Sequence, residues 1–77
     1  MYMNYYNECR IYAKNGLDDL IKYLEEHNKL IYNREVEKNC GKYGDDIICI
    51  EVEILDDNEG TDFIGTYEFT ESGNFIE

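Results

Sequence analysis

The sequence predicts an α+β fold: an antiparallel sheet of three to five strands with one or two helices packed on one face. Three observations carry this. Residues 46–55 alternate, with Ile48, Ile50, Val52 and Ile54 on one side and Cys49, Glu51 and Glu53 on the other, the pattern of a half-buried antiparallel strand. Residues 16–28 place Leu17, Leu20, Ile21 and Leu24 on one helical face. Clusters of Gly, Asn, Asp and Ser at 39–45, 56–60 and 72–74 divide the remainder into short segments joined by tight turns.

Taken in order, residues 2–14 fit two periods. Tyr5, Cys9 and Tyr12 match helical spacing, whereas Tyr5, Cys9, Ile11 and Ala13 also stand at period 2. The β-forming run Arg10-Ile11-Tyr12 and the break at Asn15-Gly16 favour a strand. For the following helix, Asn15 is the expected N-cap, Asp18 and Asp19 suit the positive end of the dipole, and His27-Asn28 is the expected stop. His27 reads as a group that caps the helix C-terminus. Residues 30–39 alternate as a strand, with Leu30, Tyr32, Arg34 and Val36 opposite Ile31, Asn33, Glu35 and Glu37. Asn39 to Asp45 form a turn in which Gly41 and Gly44 can take positive φ. After the best strand, Asp56 to Gly60 make a hairpin loop. Residues 62–70 form the next strand, with Phe63, Gly65, Tyr67 and Phe69 on one face and Ile64, Thr66, Glu68 and Thr70 on the other. Phe75-Ile76 adds a short last strand.

Seventy-seven residues form one domain, 1–77. A chain of this size buries only about 60% of its unfolded surface. Disulfides offer no help: Cys9, Cys40 and Cys49 are odd in number with no close pair, and read as reduced, buried thiols in a cytoplasmic protein. A homodimer is another way to stabilise so small a core. No apolar h-region follows Met1, and no stretch approaches the ~20 apolar residues of a membrane span.

The formal charge is −11, and its distribution is uneven. All seven Lys and Arg residues lie within 1–42, where acids balance them. From Tyr43 onward come Asp45, Asp46, Glu51, Glu53, Asp56, Asp57, Glu59, Asp62, Glu68, Glu71 and Glu77 with no cation. The same stretch is rich in Ile, Val and Phe, so it folds rather than forming a disordered acidic tail. Such a domain is repelled by anionic lipid and by nucleic acid, so neither is an expected direct partner.

No catalytic motif is present, and the chain reads as non-enzymatic. Cys9, Cys40, Cys49 and His27 match a Cys3His zinc set in number but lack close Cys pairs, so no metal and no cofactor is expected. The loop Asp56-Asp57-Asn58-Glu59-Gly60-Thr61-Asp62 offers oxygen ligands, but its glycine falls at position 5 rather than the 6 of an EF-hand. It reads as a solvated hairpin loop, with regulatory calcium binding as the lesser alternative.

The surface carries the functional expectation. Glu51 and Glu53 share one side of a strand about 6.5–7 Å apart. Glu68 is expected beside them, Asp56, Asp57, Glu59 and Asp62 at the hairpin end, and Asp45, Asp46 and Glu71 at the opposite end. These ten form the candidate partner-binding set, with Tyr43, Tyr67 and Phe75 as candidate aromatic anchors. A negative face of this kind fits a basic groove, and basic grooves are most often nucleic-acid sites. In size, acidity, absence of catalytic motifs and Asn-, Ile-, Lys- and Tyr-rich composition, the chain resembles small phage-encoded DNA-mimic inhibitors, the anti-CRISPR proteins in particular. That resemblance implies a partner with a basic nucleic-acid groove, such as a CRISPR effector blocked on its DNA-binding surface. The alternative is an immunity- or antitoxin-type protein that covers a basic toxin active site.

Overall fold

The computed structural model describes residues 3–56 and 60–76. Two helices, α1 (Met3–Asn15) and α2 (Leu17–Glu25), precede four strands: β1 (Leu30–Glu37), β2 (Ile47–Asp56), β3 (Gly60–Thr70) and β4 (Phe75–Ile76). The strands form one antiparallel meander in the order β1-β2-β3-β4. The helices pack on each other and on one face of the sheet, α1 over β3 and β4 and α2 over β1. None of the described helices is long and apolar enough to cross a membrane.

Residues 3–15 are helical, which corrects the strand expected there. A strand would have buried Ile11 together with Cys9 and Ala13. The helix instead leaves Ile11 58% exposed and buries Cys9 and Ala13 completely. Tyr5, Cys9 and Ala13 stand four residues apart on one helical line. The small Cys9 and Ala13 side chains let α1 approach the core closely, and this packing overrides the local β propensity.

The junction with α2 also differs from expectation. Asn15 is the last residue of α1, not a cap; the N-cap is Gly16, with φ 135° and ψ 166° and no side-chain cap. That backbone region belongs almost only to glycine. The first free amide of α2, Leu17 N–H, is satisfied across the fold by Gly73 O at 2.8 Å. The helix stops at Glu25 with Glu26 as C-cap, and Asn28 does not take the left-handed conformation. His27 does act at this terminus: its ring Nδ1–H donates to Tyr23 O at 2.8 Å. In the following turn Asn39 (φ 58°) and Gly44 (φ 83°) take positive φ, whereas Gly41 does not.

The core lies between the helices and the inner sheet face. Leu17, Leu20, Tyr23 and Leu24 of α2 share one buried cluster with Leu30 of β1, Ile48, Ile50, Val52 and Ile54 of β2 and Phe69 of β3. Phe75 closes one side, its ring centroid 5.8 Å from that of Phe69. Tyr12 stacks on Tyr23 at 4.6 Å, and the Tyr23 hydroxyl donates to Glu8 Oε2 at 3.1 Å. Burial first, and then Glu8, push the Tyr23 phenol well above its ordinary pKa.

β3 departs from the alternation read from its sequence. Val52 pairs with Gly65 but Glu53 pairs with Phe63, so Ile64 is the extra residue of a β-bulge. Ile64 turns inward and is 3% exposed, while Phe63 turns outward and is 56% exposed. The expected faces are therefore reversed at these two positions: Phe63 belongs with the solvent and Ile64 with the core. The thiols are likewise not uniformly buried. Cys9 is buried, Cys49 half-buried and Cys40 exposed; all three are free.

The sheet outruns the helices. The Cα radius of gyration is 12.8 Å and the extents are 43 × 21 × 18 Å, against a radius of about 11.5 Å for a compact chain of this length. On the inner face of edge strand β1, Arg34 and Val36 consequently remain exposed.

Candidate interaction face

The sheet face turned away from the helices is built by strand alternation and read from the pairing register. Across β1, β2 and β3 its rows run Glu37–Ile47–Thr70, Glu35–Cys49–Glu68, Asn33–Glu51–Thr66 and Ile31–Glu53–Phe63. Five carboxylates from three strands thus share one face, with no Lys or Arg among its described residues.

Between neighbouring strands the carboxylates are staggered. No Glu stands directly opposite another: Glu51 faces Asn33 and Thr66, Glu53 faces Ile31 and Phe63, and Glu35 and Glu68 face Cys49. Directly opposed side chains have Cβ atoms about 4.5–5.5 Å apart, and diagonal neighbours lie about 7–8 Å apart. The stagger keeps like charges on neighbouring strands at the diagonal spacing, while Glu35 and Glu37, and Glu51 and Glu53, stand about 6.5–7 Å apart along their own strands.

Cys49 occupies the centre. Its single thiol proton is donated to Glu37 Oε1 at 3.0 Å, with Glu68 Oε2 at 3.6 Å on the other side. Burial first, and then Glu37 and Glu68, push the thiol up to about 12. At neutral pH it is therefore a hydrogen-bond donor set among acceptors, not a nucleophile. The three groups lie within 4.8 Å of one another, so a divalent cation could be held there only by displacing that proton. The Cys3His set counted in the sequence does not assemble: Cys9 is buried on the helix side of the sheet, and Cys49 faces the other way.

One end of the face is apolar. Ile31 and Phe63 flank Glu53, Leu55 follows on β2, and all three are exposed. Thr61 donates its hydroxyl to Glu53 Oε2 at 3.3 Å.

Of the ten residues expected from sequence, Glu51, Glu53 and Glu68 lie on this face. Asp62 does not: the bulge sets it opposite Ile54, on the helix side. The backbone of Asp56 ends β2, but its side chain, with Asp57 and Glu59, lies outside the described residues, as does that part of the candidate calcium loop. Asp45, Asp46 and Glu71 stand at the far end of the hairpin and hold turns. Asp46 pairs with Lys38 at 3.5 Å and accepts Asn39 N–H at 3.1 Å, and its own N–H donates to Glu71 Oε1 at 2.9 Å. Among the candidate anchors, Tyr67 and Phe75 are half-buried against the core, whereas Tyr43 is 88% exposed.

Glu35 and Glu37 were missed because they belong to the charge-balanced part of the chain. The period-2 alternation of β1 was the signal that could have found them. Phe63 was missed because nothing in the sequence marks the bulge. Comparison with known proteins finds no matching family model, no matching curated protein and no matching solved structure.

Proposed function

We propose that this chain is a non-enzymatic inhibitor whose acidic sheet face occupies the basic nucleic-acid groove of a target protein by DNA mimicry. The observation that carries the reading is the cation-free array of Glu35, Glu37, Glu51, Glu53 and Glu68 on one face of a hydrogen-bonded sheet. Carboxylates two residues apart on a strand repeat at about 6.5–7 Å, the scale on which a groove lined by Lys and Arg meets phosphates. Held on strands, their backbone positions are set before binding, so only the side chains are ordered on association. Exposed Phe63 and Ile31 supply apolar contact area beside the charges, as interface centres require. The DNA channel of a CRISPR effector in the bacterial cytoplasm is one groove of this kind, and an anti-CRISPR role follows from that choice of target.

The test is capture of partners from bacterial lysate at low and high salt, with and without competing DNA. A nucleic-acid-binding protein retained at low salt, released by DNA and lost at high salt supports mimicry. The Glu51→Lys/Glu53→Lys variant should lose that partner while keeping its circular dichroism spectrum, because both side chains point away from the core. A partner indifferent to DNA and to this variant would refute mimicry and favour an immunity-type protein.

A further inference from the structure

A cleft of about 440 Å³ opens between α1 and the sheet edge where β4 runs out. That volume lies within the range of small-ligand sites, about 300–1,000 Å³. Tyr6, Asn7 and Arg10 of α1 form one wall, and Thr66 and Tyr67 of β3 with Phe75 of β4 form the other. Its charge is opposite to that of the chain as a whole. No carboxylate is among the described residues that line it. By contrast, Glu37, Asp45 and Glu68 line the cleft beside the β1–β2 loop, and Asp19 and Glu26 the one beside Tyr12 and α2. The residues one helical turn from Arg10 are Tyr6, Asn7, Ala13 and Lys14, none of them acidic. The one ion pair found among the described residues joins Lys38 to Asp46, so Arg10 is paired with no carboxylate among them.

The walls carry directed groups. The Tyr6 hydroxyl donates to Phe63 O at 3.1 Å, which ties its ring to the edge of β3. Burial first pushes the Tyr67 phenol up to about 12, and Arg10 acts in the opposite direction, as a cation facing that hydroxyl does. Thr70 N–H donates to Asn74 O at 2.8 Å, so by strand alternation Glu68 and Thr66 turn their amide groups to the same edge. Ile76 of β4 meets Glu68 there, and no described strand meets Thr66.

We propose that this cleft binds the carboxyl-terminal residue of a peptide whose side chain is aromatic or large and apolar. The Arg10 fork donates to the terminal carboxylate. The side chain packs among Tyr6, Tyr67 and Phe75. The last amide of the peptide lies along Thr66 and extends the ladder that Ile76 begins. An inorganic anion would engage Arg10 and leave the aromatic walls unused, and an uncharged ligand would leave Arg10 unpaired. The inference goes beyond the mimicry reading and does not depend on it: Glu35, Glu37, Glu51, Glu53 and Glu68 are not among the residues lining the cleft.

The experiment is a titration of the full, isotopically labelled chain with N-acetylphenylalanine, followed through backbone amide signals, with N-acetylphenylalanine amide and inorganic phosphate as controls. Saturable shifts confined to residues 6–10, Thr66, Tyr67, Phe75 and Ile76, several-fold weaker with either control, are expected. Arg10→Gln should weaken binding about tenfold, the loss of one charge-assisted contact. Arg10 is exposed, so this variant should otherwise keep the wild-type spectrum. Lys14→Gln removes the same charge one turn away, outside the cleft, and should weaken binding less than about twofold, because exposed charges are screened. Shifts that do not saturate, an equal response to the amide or to phosphate, or equal losses in the two variants would overturn the inference. So would benzoate binding as tightly as N-acetylphenylalanine, since benzoate has no amide to lie along Thr66 and the cleft would then be a site for small carboxylates.

Discussion

Replacing Ile64 by alanine should destabilise the protein far more than replacing Phe63, the reverse of what the alternation of β3 implies. Ile64 is 3% exposed and packs within the core. Truncating a buried Ile to Ala costs about 2–5 kcal/mol, combining lost transfer energy and the cavity left behind. Phe63 is 56% exposed. Full burial of a Phe side chain is worth about 1.5–3 kcal/mol, so its truncation should cost about 1 kcal/mol or less. A domain of this length has a total stability of about 4–12 kcal/mol, so the Ile64 variant loses a large fraction of it. The difference should appear as a melting temperature lower by roughly 8–40 °C for Ile64→Ala and by less than about 8 °C for Phe63→Ala. Urea unfolding followed by far-ultraviolet circular dichroism is the appropriate assay, since the chain has no tryptophan. The denaturant slope should match the wild type for both variants. If Phe63→Ala costs as much as Ile64→Ala or more, β3 has no bulge and Phe63 does not belong to the acidic face.

Three further outcomes are expected. Gly16→Ala should cost about 1–3 kcal/mol through backbone strain at φ 135°, whereas Asn15→Ala, which removes no cap, should stay within about 0.5 kcal/mol by thermal melting. Stability should fall as pH rises above about 9, because burial holds the Cys9 thiol up to about 11, the Tyr67 phenol up to about 12 and the Cys49 thiol up to about 12. Their folded pKa values exceed the unfolded ones, so their contribution is complete below pH 9 and is lost through the interval up to about 12; fully buried Cys9 alone accounts for up to about 1.4 kcal/mol per pH unit, and Cys9→Ala should flatten the urea-midpoint profile between 9 and 11. At pH 8, iodoacetamide should label Cys40 at least tenfold faster than Cys49, and Glu37→Gln with Glu68→Gln should narrow that gap in peptide mapping by mass spectrometry.

The strands and turns were legible because their chemistry is local. Ile48 to Ile54 alternate cleanly against Cys49, Glu51 and Glu53, and the helix face of Leu17, Leu20 and Leu24 repeats at the right period. The first helix was not legible, since Tyr5, Cys9 and Ala13 fit two periods and only packing against α2 and the sheet chooses between them. The bulge at Ile64 was hidden for a related reason: two adjacent large apolar residues leave open which of them turns inward. The candidate face was partly legible. Glu51, Glu53 and Glu68 follow from alternation and hairpin pairing, but charge counted along the chain concealed Glu35 and Glu37, which the register of β1 carries to the same surface. Asp46 and Glu71 looked like surface charge and instead hold turns, because carboxylates beside free backbone amides accept from them.

The staggered carboxylates also act on assembly of the sheet itself. A two-residue slide of β1 along β2 in one direction would keep every apolar side chain on its proper face, so hydrophobic burial alone would tolerate it poorly but not forbid it. That slide would bring Glu35 directly against Glu51, and the equivalent slide of β3 would bring Glu68 against Glu51. The charge pattern therefore adds a penalty to slides in that direction, which burial alone disfavours without forbidding. It also guards the open rim: β1 is an edge strand, and a second copy approaching it meets Glu35 and Glu37. Neutralising the face would leave a chain that still folds but makes more alignment errors and adheres more readily to itself.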